Sequence, residues 1–323
     1  MHPLTTRRAF VKGAAAIGAA SLLPDVAQAA QDATKPAADS VGPRAFRFVH
    51  LTDIHVQPEL KAAEGFARAL KAVESLSPRP DFILTGGDLV MDVFEVGPPR
   101  AKELFDLYRR VIADHTSIPV RNTIGNHDVF GWSRKQGVTP ETAGYGRALV
   151  QEQLQLKQTY YRFDHKGWRF FVLDNIQPRG DVYQGFLDAT QRDWLEAELK
   201  ATDAAAPIVI CEHIPALTVT TLTSEQSVKD NEWRISNGLM CSDTPARLRL
   251  YATRNVRLCL SGHIHQCDRI EYRGTTYING GAVCGAWWKG PHRGFEEGFG
   301  VIDVWADGRF DYRYHDYGWN AER

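Results

Sequence analysis

Long hydrophobic runs are missing from this sequence. Nowhere do ~18 consecutive apolar residues occur, the length a membrane-spanning helix needs, so the processed chain is expected to be soluble. An excess of one charge is missing too. The 38 Lys and Arg stand against 39 Asp and Glu, a formal net charge of −1. That balance provides no bulk attraction to nucleic acid or to an anionic membrane, so any hold on an anionic substrate must come from a local site. The five cysteines, Cys211, Cys241, Cys259, Cys267 and Cys284, include no C-x-x-C pair. Their odd number leaves at least one thiol outside any intramolecular disulfide. Cys211 and Cys259 lie in apolar runs and read as small core residues, and no cysteine is given a structural role. No repeat of fixed period occurs, which excludes solenoids and propellers. What remains is an ordinary globular composition, 43% hydrophobic and 24% charged over 323 residues, enough for one large domain or two small ones.

The first thirty residues do not read as fold. Thr5-Thr6-Arg7-Arg8-Ala9-Phe10-Val11-Lys12 resembles the twin-arginine export signal, Gly13 to Leu23 is weakly apolar, and Ala27-Gln28-Ala29 fits a small-x-small cleavage site. Residues 1–29 are therefore expected to be a signal peptide that engages the twin-arginine export machinery and leads to the periplasm or cell exterior. Residues 30–43, rich in Ala, Asp, Pro and Gly, read as a linker, and 44–323 as the folded domain.

Within that domain Phe46 to Leu51 is a short apolar run with the look of a buried strand. Helical spacing follows at Ala63, Phe66, Ala67, Leu70 and Val73, over residues 60–76. Phe82 to Leu84 predicts a second strand, Pro98 to Asp114 a helix with proline in its first turn, and Pro119 to Ile124 a third strand. This alternation implies parallel pairing with crossover helices. Gly131 to Gly146 reads as a loop. Thr159 to Phe163 and Trp168 to Leu173 predict a hairpin, Asp188 caps a helix through Lys200, and Pro207 to Cys211 is a strand. Ile214 to Ser242 is a long polar stretch without periodicity, read as a lid or substrate wall. Thr244 to Arg254 reads as helix, Val256 to Leu260 as strand, and Arg269 to Tyr314 as short antiparallel strands. The economical fold is α/β, a single domain of two packed sheets with helices outside.

Five strand ends carry the chemistry: Asp53-x-His55, Gly87-Asp88, Gly125-Asn126-His127-Asp128, His213, and Gly262-His263-Ile264-His265. Ligands in layered α/β folds collect at the carboxyl ends of strands. Hydrolysis of a phosphate ester requires neutralised phosphoryl oxygens and a strong nucleophile at neutral pH, and two divalent ions ~3.5–4 Å apart supply both. Such a pair needs a bridging carboxylate, neutral imidazoles and oxygen donors, and these fragments contain all three.

In order and spacing, the five fragments resemble the signature of the calcineurin-like metallophosphoesterases and are similar to that of the class III cyclic nucleotide phosphodiesterases. The resemblance implies a four-layer α/β/β/α sandwich of two mixed sheets and two metal ions. Asp53, His55 and His265 would hold one ion and Asn126, His213 and His263 the other, with Asp88 bridging. His127 would face the substrate, with Asn126, and protonate the leaving oxygen. Asp128 would orient His127 or a ligand. Purple acid phosphatases place a metal-binding Tyr three residues after the bridging Asp. Met91 occupies that position here, which leaves iron, manganese, zinc and cobalt all open. A second departure is Cys211-Glu212 ahead of His213.

The activity so implied is hydrolysis of a phosphoester, first a phosphodiester, by in-line attack of a metal-bridging hydroxide. A phosphomonoester or a nucleotide-sugar pyrophosphate is the alternative, and a non-catalytic metal-binding scaffold a further one. Trp132, Trp287 and Trp288 lie among cations (Arg134, Lys135, Lys289, Arg293). They are candidates to stack a base beside a bound phosphate, against the plainer reading of aromatic residues packing a sheet edge. His292 is a candidate pocket residue.

Overall fold

A computed structural model describes residues 43–224 and 227–321. The signal (1–29) and nearly all of the linker (30–43) lie outside the described residues.

The order of elements is β1 (Arg44–Leu51), α1 (Ala62–Glu74), β2 (Phe82–Thr85), α2 (Pro98–His115), β3 (Val120–Arg121), α3 (Ala148–Leu154), β4 (Tyr161–His165), β5 (Trp168–Val172), β6 (Ile176–Arg179), β7 (Val182–Gly185), α4 (Ala189–Ala201), β8 (Ile208–Cys211), β9 (Val228–Lys229), β10 (Glu232–Trp233), α5 (Thr244–Tyr251), β11 (Val256–Ser261), β12 (Cys267–Tyr272), β13 (Thr275–Gly280), β14 (Gly298–Trp305) and β15 (Phe310–Asp316). Two mixed sheets form, ordered β15-β14-β1-β2-β3 and β12-β13-β11-β8-β5-β4, with two small hairpins, β6-β7 and β9-β10, beside them.

Three apolar clusters fill the three interfaces of a four-layer stack. Strand alternation in β1 sends Phe46 and Phe48 to the inter-sheet face, where they meet Phe82, Trp168, Phe170, Val209, Leu258 and Ile302. Val49 and Leu51, on the other face of β1, pack with Phe66, Leu70 and Val73 of α1 and Leu104, Phe105 and Tyr108 of α2. Outside the second sheet, Phe171, Ile208 and Ile210 pack with Leu195 and Leu199 of α4 and Tyr251 of α5. Helix, sheet, sheet, helix is the layering that the resemblance implies. Arg47 fixes the register of β1 on β14. Its guanidinium forks onto Asp303, its cross-strand partner, at 2.8 and 2.7 Å, in a buried charge-assisted pair.

The strands β1, β2 and β3 pair in parallel through α1 and α2, and Asp188 caps α4 with a 2.8 Å bond from Gln191 N. Several elements differ from the sequence reading. The third strand is expected over Pro119 to Ile124 but pairs only at Val120–Arg121. Beyond that point Thr85 Oγ1 takes the Thr123 amide at 2.9 Å, so the chain leaves the sheet edge and turns into the Gly125 loop. The region after Arg269 is expected to be antiparallel, and β12-β13 and β14-β15 are. However, β13 lies parallel to β11, because the chain returns to the second sheet before it crosses to the first. Helix α3 and the β6-β7 hairpin were not anticipated. All five cysteines are free thiols. No helix among the described residues is long and apolar enough to cross a membrane.

The crossing segment, residues 281–297, carries Trp288 inward. This indole is 1% exposed, packs against Gly65 of α1, where a Cβ would lie 2.2 Å from its ring, and donates from Nε1 to the carbonyl of His55 at 3.0 Å. It belongs to the core, which corrects its candidacy as a substrate-stacking residue. Trp288→Ala is expected to cost about 3–5 kcal/mol, the usual range for a large aromatic removed from a packed interior. Chemical denaturation would measure it, and a loss under about 1 kcal/mol would contradict this packing.

Candidate metal centre

The carboxyl ends of β1, β2 and β3 in one sheet and of β8 and β11 in the other open onto the same edge of the sandwich. The side chains just past those ends converge there. Asp53, His55 and His213 are fully buried, and Asp88, Asn126 and His265 nearly so. Backbone at this edge is bent hard: Asp53, His55, Asp88, His263 and His265 all take positive φ, 54°, 44°, 52°, 72° and 56°. Such strain in non-glycine residues persists only where the surroundings enforce it, commonly at functional sites. Glycine is needed where two turns touch. A Cβ on Gly125 would lie 2.2 Å from Asp88 Oδ1, and one on Gly262 2.3 Å from Asp53 Oδ2.

Two groups of donor atoms result. In the first, His265 Nε2 lies 3.2 Å from Asp53 Oδ1 and 3.2 Å from His55 Nε2. In the second, His213 Nε2 lies 3.1 Å from Asn126 Oδ1 and 3.2 Å from His263 Nδ1. Asp88 Oδ2 stands between them, 3.4 Å from His55 Nε2 and 3.1 Å from His213 Nε2.

The outward nitrogens are fixed by backbone carbonyls. His55 Nδ1 donates to Met91 O at 3.3 Å, His213 Nδ1 to Gly86 O at 2.8 Å and His265 Nδ1 to Gly285 O at 2.6 Å. His263 is reversed, with Nε2 donating to Gly238 O at 2.7 Å. Each ring therefore turns its other nitrogen into the pocket, in the way metal-site histidines are oriented by outer partners. Rings so held point their second nitrogen at one another, at Asn126 Oδ1 and at two carboxylates, an arrangement that a bound cation would satisfy. A proton answers the same negative charge. Burial pushes His213 down, yet Asp88 and Asp53 outweigh it and hold its pKa at about 9. Burial alone would raise Asp53, but His265 and His213 bring it down to about 2. The donor set, two carboxylates, one amide oxygen and four imidazoles, fits two divalent ions.

His127 sits at the mouth, its side chain 29% exposed. Its ring stands edge-on to His55 at 4.8 Å, and its own amide donates to Asp88 Oδ1 at 2.9 Å. The carboxylate beside the ring is Asp92, with Oδ1 3.5 Å from Nδ1. Asp128 is not that partner, which corrects the first of its two expected roles, orienting His127, and leaves the second, orienting a ligand. Fully buried, it accepts from the amides of Leu89 at 2.9 Å, Val90 at 3.2 Å and Gly125 at 2.8 Å, and so braces the Asp88 turn against the Asn126 turn. Burial and the nearby Asp88 push its pKa up to about 7.

Trp287 is the one tryptophan of the three candidates at this edge. Its ring lies 4.5 Å from His265, 5.9 Å from His55 and 5.7 Å from His292, centre to centre. Trp132 is buried beneath the Arg147 guanidinium, 5.0 Å from its ring, so its candidacy is corrected as well. Cys284 lies 3.9 Å from His265 Nδ1. Burial raises its thiol pKa, and its Sγ donates to Gly285 O, which makes it packing behind a ligand. Sequence reasoning missed Asp92, Tyr183, whose ring stands 5.7 Å from His263, and Gly238. None carries a local signal, since each reaches the site only through the fold.

The sequence profile of the calcineurin-like phosphoesterase family matches residues 46–267. The chain is 26% identical to a 3′,5′-cyclic-nucleotide phosphodiesterase of Nostoc sp. over 242 residues, 72% of this chain and 77% of that protein. It is also 26% identical to the serine/threonine-protein phosphatase CPPED1 of Bos taurus over 230 residues, 70% of this chain and 66% of that protein. Among solved structures, a dimetal phosphatase from Danio rerio superposes with a TM-score of 0.60 at 14% identity, covering 85% of this chain and 98% of that one. Members of the family use a binuclear metal centre, and the converging donors lie where the two sheets open. The chain belongs to the calcineurin-like phosphoesterase family and is a metal-dependent phosphoester hydrolase.

Proposed function

We propose that the chain is an exported binuclear phosphodiesterase, with Asp53, His55 and His265 holding one ion, Asn126, His213 and His263 the other, and Asp88 between them. The observation that carries this reading is the placement of Asp88 Oδ2 within 3.4 Å of one group of imidazoles and 3.1 Å of the other. Bound there, two ions would neutralise phosphoryl oxygens and lower the pKa of a water to near neutrality. The chain's own groups do the rest. The carbonyls of Met91, Gly86, Gly285 and Gly238 hold the imidazoles in the tautomers that face the centre. His127, outside both groups of donors and backed by Asp92, carries a proton at Nε2 for the leaving oxygen. Asn126 and His127 border the bound phosphate, and Trp287 supplies a flat wall beyond His265 for a planar ester substituent.

A diester is favoured because an aromatic ring stands on either side of the pocket for its two ester arms, Trp287 beside His265 and Tyr183 beside His263; the nucleotide phosphodiesterase of Nostoc sp. and the CPPED1 phosphatase match the chain at the same 26% identity. Export by the twin-arginine route rests on residues 1–29 alone, and it suits a protein that takes up metal before it crosses the membrane. The metals that the ligand set admits are iron, manganese, zinc and cobalt.

Assay of bis-p-nitrophenyl phosphate, p-nitrophenyl phosphate and cyclic nucleotides with each metal tests this reading. The diesters are expected to exceed the monoester in kcat/KM by at least tenfold, about 1.4 kcal/mol of transition-state preference. A monoester preference would transfer the assignment to phosphomonoesterase. Purified protein that takes up metal and hydrolyses none of these substrates would leave the scaffold reading.

A further inference from the structure

The connection between β8 and α5 has two arms, residues 212–216 and 236–247, and both end on the metal pocket. At the first arm, Asn175 grips the residue after His213 from both sides. Ile214 N donates to Asn175 Oδ1 at 3.2 Å, and Asn175 Nδ2 donates to Ile214 O at 2.7 Å. The same amide donates to Glu212 Oε2 at 2.9 Å. Glu212, the unusual residue ahead of His213, is 1% exposed, and a carboxylate there is costly unless paired. Its partner is Arg247 of α5, itself buried, whose guanidinium also donates from Nε to Asp243 Oδ1 at 3.1 Å.

The second arm is fastened to the first. Cys241 N donates to Pro215 O at 3.0 Å, and Thr244 Oγ1 to Ala216 O at 2.6 Å. From that junction the chain reaches Gly238, whose carbonyl takes the Nε2 proton of His263. This bond is why His263 alone presents Nδ1 to the pocket. The other group is braced by a different segment, with Cys284 N donating to Asp53 O at 3.2 Å and Trp288 Nε1 to His55 O at 3.0 Å. Asp53 is held by Thr52 Oγ1 and the His263 amide, and His55 and His265 by the carbonyls of Met91 and Gly285.

We infer that the two arms form a strap that sets the affinity of one metal site and not the other, with Arg247 and Asn175 positioning His213 and the Gly238 carbonyl positioning His263. The inference rests on the two-ion reading above. Glu212 is thereby explained as the strap's anchor. Linkage makes the effect reciprocal: an ion that binds through His213 and His263 orders the strap as much as the strap favours the ion.

Two measurements test it. In the first, apoprotein is titrated with Mn²⁺ while amide hydrogen exchange is followed. Residues 236–242 are expected to gain at least tenfold protection with one of the two equivalents only. Unchanged exchange there on full loading would overturn the inference. In the second, Glu212→Gln combined with Arg247→Met removes both buried charges together at similar volume. This variant is expected to keep one tight Mn²⁺ and bind the other ~10–100-fold more weakly, the usual cost of losing an outer partner, with paramagnetic resonance changing from a coupled pair to a mononuclear spectrum. Two equivalents bound as in the parent, or both weakened equally in a folded protein, would overturn the strap while leaving the metal centre intact. A parent protein that binds no metal would overturn the two-ion reading itself. Should the double variant fail to fold, the exchange measurement decides alone.

Discussion

Asp88→Asn is expected to reduce kcat/KM by ~10³-fold or more and to leave the protein unable to hold two ions, since the metal contribution to phosphoryl transfer is worth several kcal/mol. The substitution is nearly isosteric, so its effect is chemical. Asp88 Oδ2 lies within reach of both imidazole groups, and Asp88 Oδ1 accepts the amide of His127 at 2.9 Å. Asparagine has a single acceptor oxygen and cannot serve both sides. With its oxygen toward the pocket, its amide would oppose the N–H of His127. With the amide toward the pocket, two donor protons would point where the cations belong. Either way the centre also loses one of its two carboxylate charges. Metal analysis and steady-state kinetics on the same preparation check this. Two equivalents retained with a rate within tenfold of the parent would remove Asp88 from the bridging position.

Much of this arrangement was legible because strand ends and ligands coincide in the sequence. Phe46 to Leu51, Phe82 to Leu84 and Val256 to Leu260 are apolar runs that each end in a carboxylate or imidazole, and in a parallel sheet such ends lie on one edge. The layering was legible for a similar reason, since strands alternating with amphipathic helices leave few topologies. Other features were readable but weak. The β6-β7 hairpin turns at Gly180-Asp181, a two-residue signal, although Pro178 lies within its first strand. Its edge position is what tolerates that proline.

Another class of feature had no local signal at all. Asp92 meets His127 because the turn after Asp88 folds back, and Gly238 meets His263 across a connection that has no periodicity. Trp288 and Trp132 show the reverse case. Next to cations in sequence, both looked like binding residues, and tertiary packing put both inside. Of the two roles open to Asp128, orienting His127 or orienting a ligand, the contacts match the second. A carboxylate next to a histidine in sequence points elsewhere when the backbone turns between them, here into the amides of Leu89, Val90 and Gly125.

His127→Ala is expected to keep both ions and lose ~10²–10⁴-fold in turnover, the usual worth of a positioned proton donor. Retention of metal follows from geometry. The bond that His127 makes to Asp88 comes from its backbone amide, which alanine preserves, and its ring is not in either donor group. The size of the loss should depend on the leaving group. A ribose alkoxide needs a proton as it departs, whereas p-nitrophenolate departs nearly as well without one. The variant should therefore be impaired at least tenfold more on a cyclic nucleotide than on bis-p-nitrophenyl phosphate. Asp92→Asn, which leaves His127 in place without its charged neighbour, should show the same pattern at smaller size. Equal losses on both substrates would assign His127 to charge stabilisation instead of proton transfer. Loss of one metal equivalent in His127→Ala would move it into the ligand set, and the separation of proton donor from metal ligands would fail with it.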